Sequence, residues 1–424
     1  MEKSAKLIKL DNGIRIILDP ISHLKSASVG VWANVGTRHE NSQNNGVAHL
    51  LEHLVFKGAG GRNANALAED AEGRGIYLNA ATSHERTGFF ARCLSDEVGF
   101  ALGLCTDLVL SPHLDARDFE LEKNVVISEI NEAFDDAEDR ASVLCQLASY
   151  HAQPLGMPIL GDAASLNNIN KAQIERFHAM YSAPLNLIIG VSGAFDEAQI
   201  LDLTARTFGA LHPKPATAPI NAQFTKNVLF EGRKIEQSQI ALAFALPKPS
   251  RKEIFISQIF SSILSGGMAS RLLSDLREKQ GLVYNIDAYC ENYFDVSRLN
   301  ISFGCAANNA AKALNIIEHH LDDIAQNGPN EIELARAKKT LETSILLAFE
   351  NPSSRLSSMV GQIVVFGETI NIDEISQCIR NVTHKQIQEL AVFTRDPSRR
   401  TASAIGNSKV EKLVSNWGNA NLSL

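Results

Sequence analysis

His49, Glu52 and His53 stand in the order H-x-x-E-H inside an otherwise apolar run from Val47 to Phe56. At about 100° per residue, an α-helix places all three on one face. Two imidazoles four residues apart can share one metal ion. Zinc accepts neutral histidine nitrogens and keeps a position open for water when three protein groups bind it. The metal lowers the pKa of that water toward ~7, so a nearby carboxylate can take its proton. Glu52 is therefore expected as the general base, outside the metal's own ligands. Two His and one Glu on a helix also occur as a solvated polar face. Here the neighbours are apolar, so the helix is expected to be largely buried, and buried His and Glu need partners that a metal supplies. Gly46 before the run and Gly58-Ala59-Gly60-Gly61 after it bound a helix of about three turns.

Zinc needs a third protein ligand. The segment from Phe119 to Glu132 has a helical pattern and many carboxylates. Glu122 and Glu129 are seven apart and share a face. Glu129 follows Val125, Val126 and Ile127, the most apolar part of the segment, whereas Glu120 and Glu132 read as solvated surface. Spacing alone leaves both Glu122 and Glu129 open.

These residues resemble the pitrilysin-type inverzincin metallopeptidases, in the branch of the mitochondrial processing peptidase. The resemblance runs from Gly30-Val31-Trp32 and Gly36-Thr37-Arg38 through the His49–His53 helix. It continues in Leu78-Asn79-Ala80-Ala81-Thr82-Ser83, Val126-Ile127-Ser128-Glu129-Ile130 and the stretch Pro154 to Gly161. It implies one zinc ion per chain, held by His49, His53 and Glu129, the last lying 76 residues beyond the second His. Glu122, seven residues earlier, becomes the supporting carboxylate behind the site. The resemblance makes Leu78 to Thr82 an edge strand beside the metal, on which a peptide is held as an added strand, with Asn79 and Ala80 as named contacts. Two positions depart from the family pattern, Met157 where a basic residue is common and Ser128 where a second Glu is frequent. They bear on substrate preference more than on chemistry.

The elements that must position these groups read as two similar halves. The first has strands at Ile14–Leu18 and Ala27–Val35, then the Gly46–Lys57 helix. Strands at Tyr77–Ser83 and Thr87–Cys93 and a helix at Ser95–Leu110 follow. The second has a strand at Ile240–Ala245, helices at Ile254–Leu264 and Ser270–Arg277, strands at Tyr284–Tyr289 and Arg298–Gly304, and a helix at Asn308–Ile324. The segment Leu211 to Pro219, with three prolines and no periodicity, reads as a linker. The expected fold is α+β, with two homologous domains, each a mostly antiparallel sheet packed against helices. The expected division is a metal-binding catalytic domain at 1–210, a linker at 211–226 and a homologous substrate-binding domain at 227–424. The second half carries no His or Glu where its Gln258–Leu264 helix matches the metal helix. By themselves, Arg277 and Tyr284 read as a surface Arg and a packed Tyr. The resemblance assigns Arg277 to the peptide backbone and Tyr284 to the oxyanion of the tetrahedral intermediate.

The 424 residues are too many for one ordinary core. Hydrophobic residues at 45% and charged residues at 21% describe a soluble globular chain. No apolar run reaches 18 residues, so no membrane-spanning helix is expected. A net charge of −8 disfavours nucleic acid and mildly suits basic peptides. Met1 to Lys6 leads straight into a strand, so a cytoplasmic, bacterial protein without signal or transit peptide is expected. Cys93, Cys105, Cys145, Cys290, Cys305 and Cys378 form no C-x-x-C pair and read as reduced, packed thiols. His84, His113, His319 and His320 read as structural. The overall expectation is a zinc endopeptidase for short or unfolded peptides, presequence-like or oligopeptide. By resemblance it works as a homodimer, because one chain carries both the metal motif and the Arg/Tyr pair. The alternative is a non-catalytic peptide-binding or scaffold member of the same family.

Overall fold

A computed structural model describes residues 5–214 and 216–419. The chain divides into two compact units, each built from three separate segments. The first comprises Met1–Ile130, Met157–Ile220 and Leu347–Asn371, and the second Asn131–Gly156, Asn221–Leu346 and Ile372–Leu424. These are not the contiguous spans 1–210 and 227–424. Residues 131–156 belong with the later half of the chain, and residues 347–371 with the earlier half.

The first unit is built on strands β1 (Lys6–Lys9), β2 (Arg15–Pro20) and β3 (Ser26–Ala33), a short hairpin of β4 (Gly58–Ala59) and β5 (Arg62–Asn63), and strands β6 (Tyr77–Thr82), β7 (Thr87–Leu94) and β8 (Leu187–Gly193). Its main sheet runs in the order β1-β2-β8-β3-β7-β6, antiparallel except for the β2–β8 pair, with β6 at one edge. The central strand β8 reads Leu-Ile-Ile-Gly-Val-Ser-Gly and is buried throughout, as a strand covered on both faces must be. The period of two sorts its side chains into two cores. Ile16, Leu18, Val29, Val31, Leu187 and Ile189 join the large core that also holds the apolar side of the Val47–Val55 helix. Ile17, Trp32 and Ile188 face the other way, onto Leu356, Met359, Val360 and Ile363. Those four come from the Pro352–Phe366 helix, which is why that late segment belongs to this unit. Burying each such side chain contributes roughly 1.5–3 kcal/mol. Gly190 lets the helix come this close, since a Cβ there would lie 2.5 Å from Leu356 Cδ1. Arg355 completes the dock. Its guanidinium forms a two-pronged pair with the fully buried Asp19 at 2.7 and 2.8 Å, and Ser192 Oγ donates to the same carboxylate at 2.6 Å.

The second unit holds β9 (Val228–Gly232), β10 (Gln237–Leu246), β11 (Ile286–Asn292), β12 (Ser297–Ala306) and β13 (Arg400–Gly406), in the order β11-β12-β10-β13-β9. Only the β13–β9 pair is parallel. The Ala137–Ser149 helix packs on this sheet through Ala141, Leu144 and Cys145, against Ile405, Ala241 and Ala243. The buried Arg298 fastens it, donating to Ser149 Oγ at 2.8 Å while pairing with Glu291. The expected α-helix at Ser270–Arg277 is instead a π-helix at Leu273–Lys279, and the strand expected from Tyr284 begins at Ile286. All six cysteines are free thiols. No helix among the described residues is long and apolar enough to cross a membrane.

Candidate metal centre and active site

The helix Val47–Val55 buries Val47, Ala48, Leu50, Leu51, Leu54 and Val55, leaving His49, Glu52 and His53 on its remaining face. Its start is fixed by a carboxylate from outside the helix. Glu40 accepts from the amides of Gly46 (2.8 Å) and Ala48 (2.7 Å) and from Asn45 Nδ2 (2.8 Å), satisfying first-turn donors that have no partner within the helix. Gly46 sits at φ 93°, and a Cβ there would meet Leu160 O at 2.8 Å, so both conformation and space demand glycine.

Glu122 and Glu129 come from one helix, Ala116–Asp135, whose packed side is formed by Phe119, Glu122, Lys123 and Val126. The two carboxylates share a face but not an environment. Glu122 is buried, while the Glu129 side chain is 43% exposed. Glu129 follows Val125-Val126-Ile127, the most apolar part of the helix. Val125 in fact lies on the open side of the helix with Leu121, so the apolar triplet does not bury its neighbour.

His49, His53 and Glu129 converge. Their donor atoms lie within 4.8 Å of one another, the one such group of three found among the described residues. Glu129 Oε1 is 3.7 Å from His49 Nε2, and Glu129 Oε2 is 3.4 Å from His53 Nε2. Tetrahedral zinc with bonds of 2.0–2.1 Å separates its donors by ~3.3 Å, so these spacings and this nitrogen and oxygen set fit zinc. Burial, followed by the nearby His53, pushes the His49 imidazole down to about 4 and keeps one ring-nitrogen lone pair available at neutral pH. Glu122 stands behind His53, with Oε2 3.2 Å from His53 Nδ1, and its Oε1 pairs with Lys57 Nζ at 2.8 Å.

Glu52 lies outside the group of three. Burial raises its pKa, and the Thr82 side chain, His53 and the Thr82 amide oppose that rise. The Thr82 hydroxyl donates to Glu52 Oε2 at 2.5 Å. Sequence reading missed Thr82, Lys57 and Glu40. Thr82 closes a strand already singled out, but nothing in an alternating strand marks one hydroxyl as a partner of a distant Glu. Asn79 and Ala80 lie in β6, which is the sheet edge as expected. The Asn79 side chain turns back to accept from the Ala80 amide at 2.8 Å. In the second unit, the Arg277 guanidinium sits 5.4 Å over the Tyr284 ring, and Tyr284 is 77% exposed rather than packed. His84 bonds Thr37 and His320 bonds Asp275, and neither joins the group of three.

Comparison with known proteins finds relatives over nearly the whole chain. Residues 15–163 match the family model described as Insulinase (Peptidase family M16), and residues 168–341 match the one described as Peptidase M16 inactive domain. A Bacillus subtilis protein named "Uncharacterized zinc protease YmxG" is 30% identical over 399 residues, covering 93% of this chain and 97% of that one. A Rickettsia felis protein named "Uncharacterized zinc protease" is 28% identical, covering 90% and 93%. The fold is shared with a crystal structure titled as a protease from Helicobacter pylori (TM-score 0.87, 20% identity, 95% and 99% covered). It is shared also with a chain of complex III from Candida albicans (TM-score 0.83, 17% identity, 98% and 99% covered). Both halves match models of one family, and a relative of 30% identity spans nearly the full length, so the chain belongs to the M16 (insulinase) peptidase family.

Proposed function

We propose that this chain is a zinc-dependent endopeptidase acting on short or unfolded peptides, presequence-like or oligopeptide. One observation carries the reading. Three zinc-type donors converge, and Glu52 stands on the same helix face without being one of them. Zinc held by His49, His53 and Glu129 would supply a polarised water of lowered pKa and a Lewis acid for the scissile carbonyl. Glu52 would act as the general base, accepting a proton at its carboxylate and giving one to the leaving amine. Glu122 holds His53 through Nδ1. The edge strand β6, with Asn79 and Ala80, receives the peptide main chain as an added strand. Arg277 for the peptide backbone and Tyr284 for the oxyanion belong to the same proposal, supported by their mutual stacking and by the exposure of Tyr284. So do one zinc per chain, a homodimer and a cytoplasmic setting; a bacterial source is supported by relatives from Bacillus subtilis and Rickettsia felis.

A non-catalytic scaffold is the second reading, favoured by the likeness to a complex III chain. A scaffold has no need of these groups, yet the donors and Glu52 are all present. Cleavage of a short quenched basic peptide by zinc-loaded and zinc-stripped protein tests the proposal. Turnover that follows bound zinc supports it, and zinc-replete protein that cleaves no peptide contradicts it.

A further inference from the structure

Glu52 has a rigid neighbour, and the two meet at the edge strand. Thr82 is the last residue of β6, and the Ser83–Arg86 turn follows it, closed by Ser83 N donating to Arg86 O at 2.8 Å. That turn is pinned from a second direction. The amides of Thr37 and Arg38 donate to Ser83 O and His84 O at 3.2 and 2.8 Å. A Cβ on Gly36 would lie 2.2 Å from Ser83 O, so the two loops sit in direct backbone contact.

Behind Thr82 lies Thr87, its register partner on β7, with the two hydroxyl oxygens 3.5 Å apart. Thr87 is fully buried and is itself held by the buried Tyr181 hydroxyl at 2.5 Å and by Val35 O at 3.1 Å. Each hydroxyl has one proton to give, so each has one recipient and none remains for the Thr82–Thr87 contact, which is packing only. The Thr87 proton goes to Val35 O, the Tyr181 proton to Thr87 Oγ1, and the Thr82 proton to Glu52 Oε2.

We infer that Thr82 is the positioning residue of Glu52, tying the carboxylate orientation to the end of the edge strand. The inference rests on the peptidase reading and deepens it, because the strand proposed to hold the substrate also fixes the base. Glu52 is a three-torsion side chain that would otherwise sample several rotamers. The hydrogen bond donated from a pinned strand selects one of them.

The test compares zinc-loaded wild type with Thr82→Val, Thr82→Ser and Glu52→Gln, using a quenched basic peptide, zinc content and crystal structures. Thr82→Val keeps the shape and loses the hydroxyl, so kcat should fall about 10-fold or more with KM and zinc content unchanged. Thr82→Ser should stay within about 3-fold of wild type. In the Thr82→Val crystal, the Glu52 carboxylate should leave its wild-type orientation. Wild-type kcat in Thr82→Val, or a loss confined to KM or to zinc content, would overturn the inference, as would an unmoved Glu52 carboxylate. If Glu52→Gln is inactive while Thr82→Val is fully active, the inference fails and the base assignment stands. If Glu52→Gln cleaves like wild type, the base assignment fails, and the carboxylate orientation alone decides the role of Thr82.

Discussion

His53 Nδ1 lies 3.2 Å from Glu122 Oε2, and the opposite oxygen of Glu122 is taken by Lys57 Nζ at 2.8 Å. A proton on Nδ1 shared with this carboxylate leaves Nε2 unprotonated on the side facing Glu129. Removing the carboxylate therefore frees the ring's tautomer and orientation. Glu122→Gln should weaken zinc binding about 10-fold and Glu122→Ala up to about 100-fold, read by competition with a chromogenic chelator. Wild-type affinity in Glu122→Ala would show that Glu122 merely fills space.

Zinc that binds the folded chain alone must stabilise it. At free zinc a hundredfold above Kd, the first unit should gain about 2.7 kcal/mol. For a body of this size that is a rise in Tm of roughly 5–10 °C. His49→Ala should abolish the rise, because it removes one of three donors. A zinc-dependent rise that survives in His49→Ala would place the metal elsewhere.

The H-x-x-E-H spacing is enough to single out the candidate metal helix, because its polar triplet interrupts an apolar segment whose ends are marked by glycines. The choice between Glu122 and Glu129 was not legible from pattern. Both share one face, and only tertiary packing buries the first and opens the second. Alternation in β3 and β7 is visible, but β8, buried on both faces, gives no alternating signal. The exchange of helices was hidden for a similar reason. Nothing local in Ala137–Ser149 or Pro352–Phe366 says which sheet will cover its apolar stripe. Thr82 and Glu40 act through contacts 30 and 8 residues away in sequence, beyond any local pattern.

Glu40 makes a pH-dependent prediction. Burial pushes its carboxyl up to about 7, with the amides of Ala48 and Gly46 and the Asn45 side chain opposing the rise. The folded pKa is above the unfolded one, so between about pH 4.5 and 7 the folded chain holds a proton that the unfolded chain has released. The contribution of this group to stability therefore falls as pH rises through that window and levels off above it. Glu40→Gln has no such charge to bury. From pH 5 to pH 8, urea unfolding should shift in favour of the variant, relative to wild type, by roughly 2–3 kcal/mol. A constant difference across that range would contradict the buried-carboxylate account.

Arg355 and Asp19 predict a coupling between segments far apart in sequence. Asp19 is fully buried, so Arg355→Ala leaves its charge unpaired and should cost about 3–5 kcal/mol. Replacing both residues with apolar side chains of similar volume should cost less than the single change. Denaturant midpoints of the two single variants and the double variant give the coupling directly. Additive effects would mean that the pair does not dock the Pro352–Phe366 helix.

The central claim is that Glu52 performs general-base chemistry beside a zinc ion it does not bind. Zinc-loaded wild type and Glu52→Gln, compared on one quenched basic peptide with zinc content measured on the same samples, test it most directly. The account predicts equal zinc content and a loss of kcat of at least ~10²-fold in the variant. Undiminished cleavage by zinc-replete Glu52→Gln would contradict it.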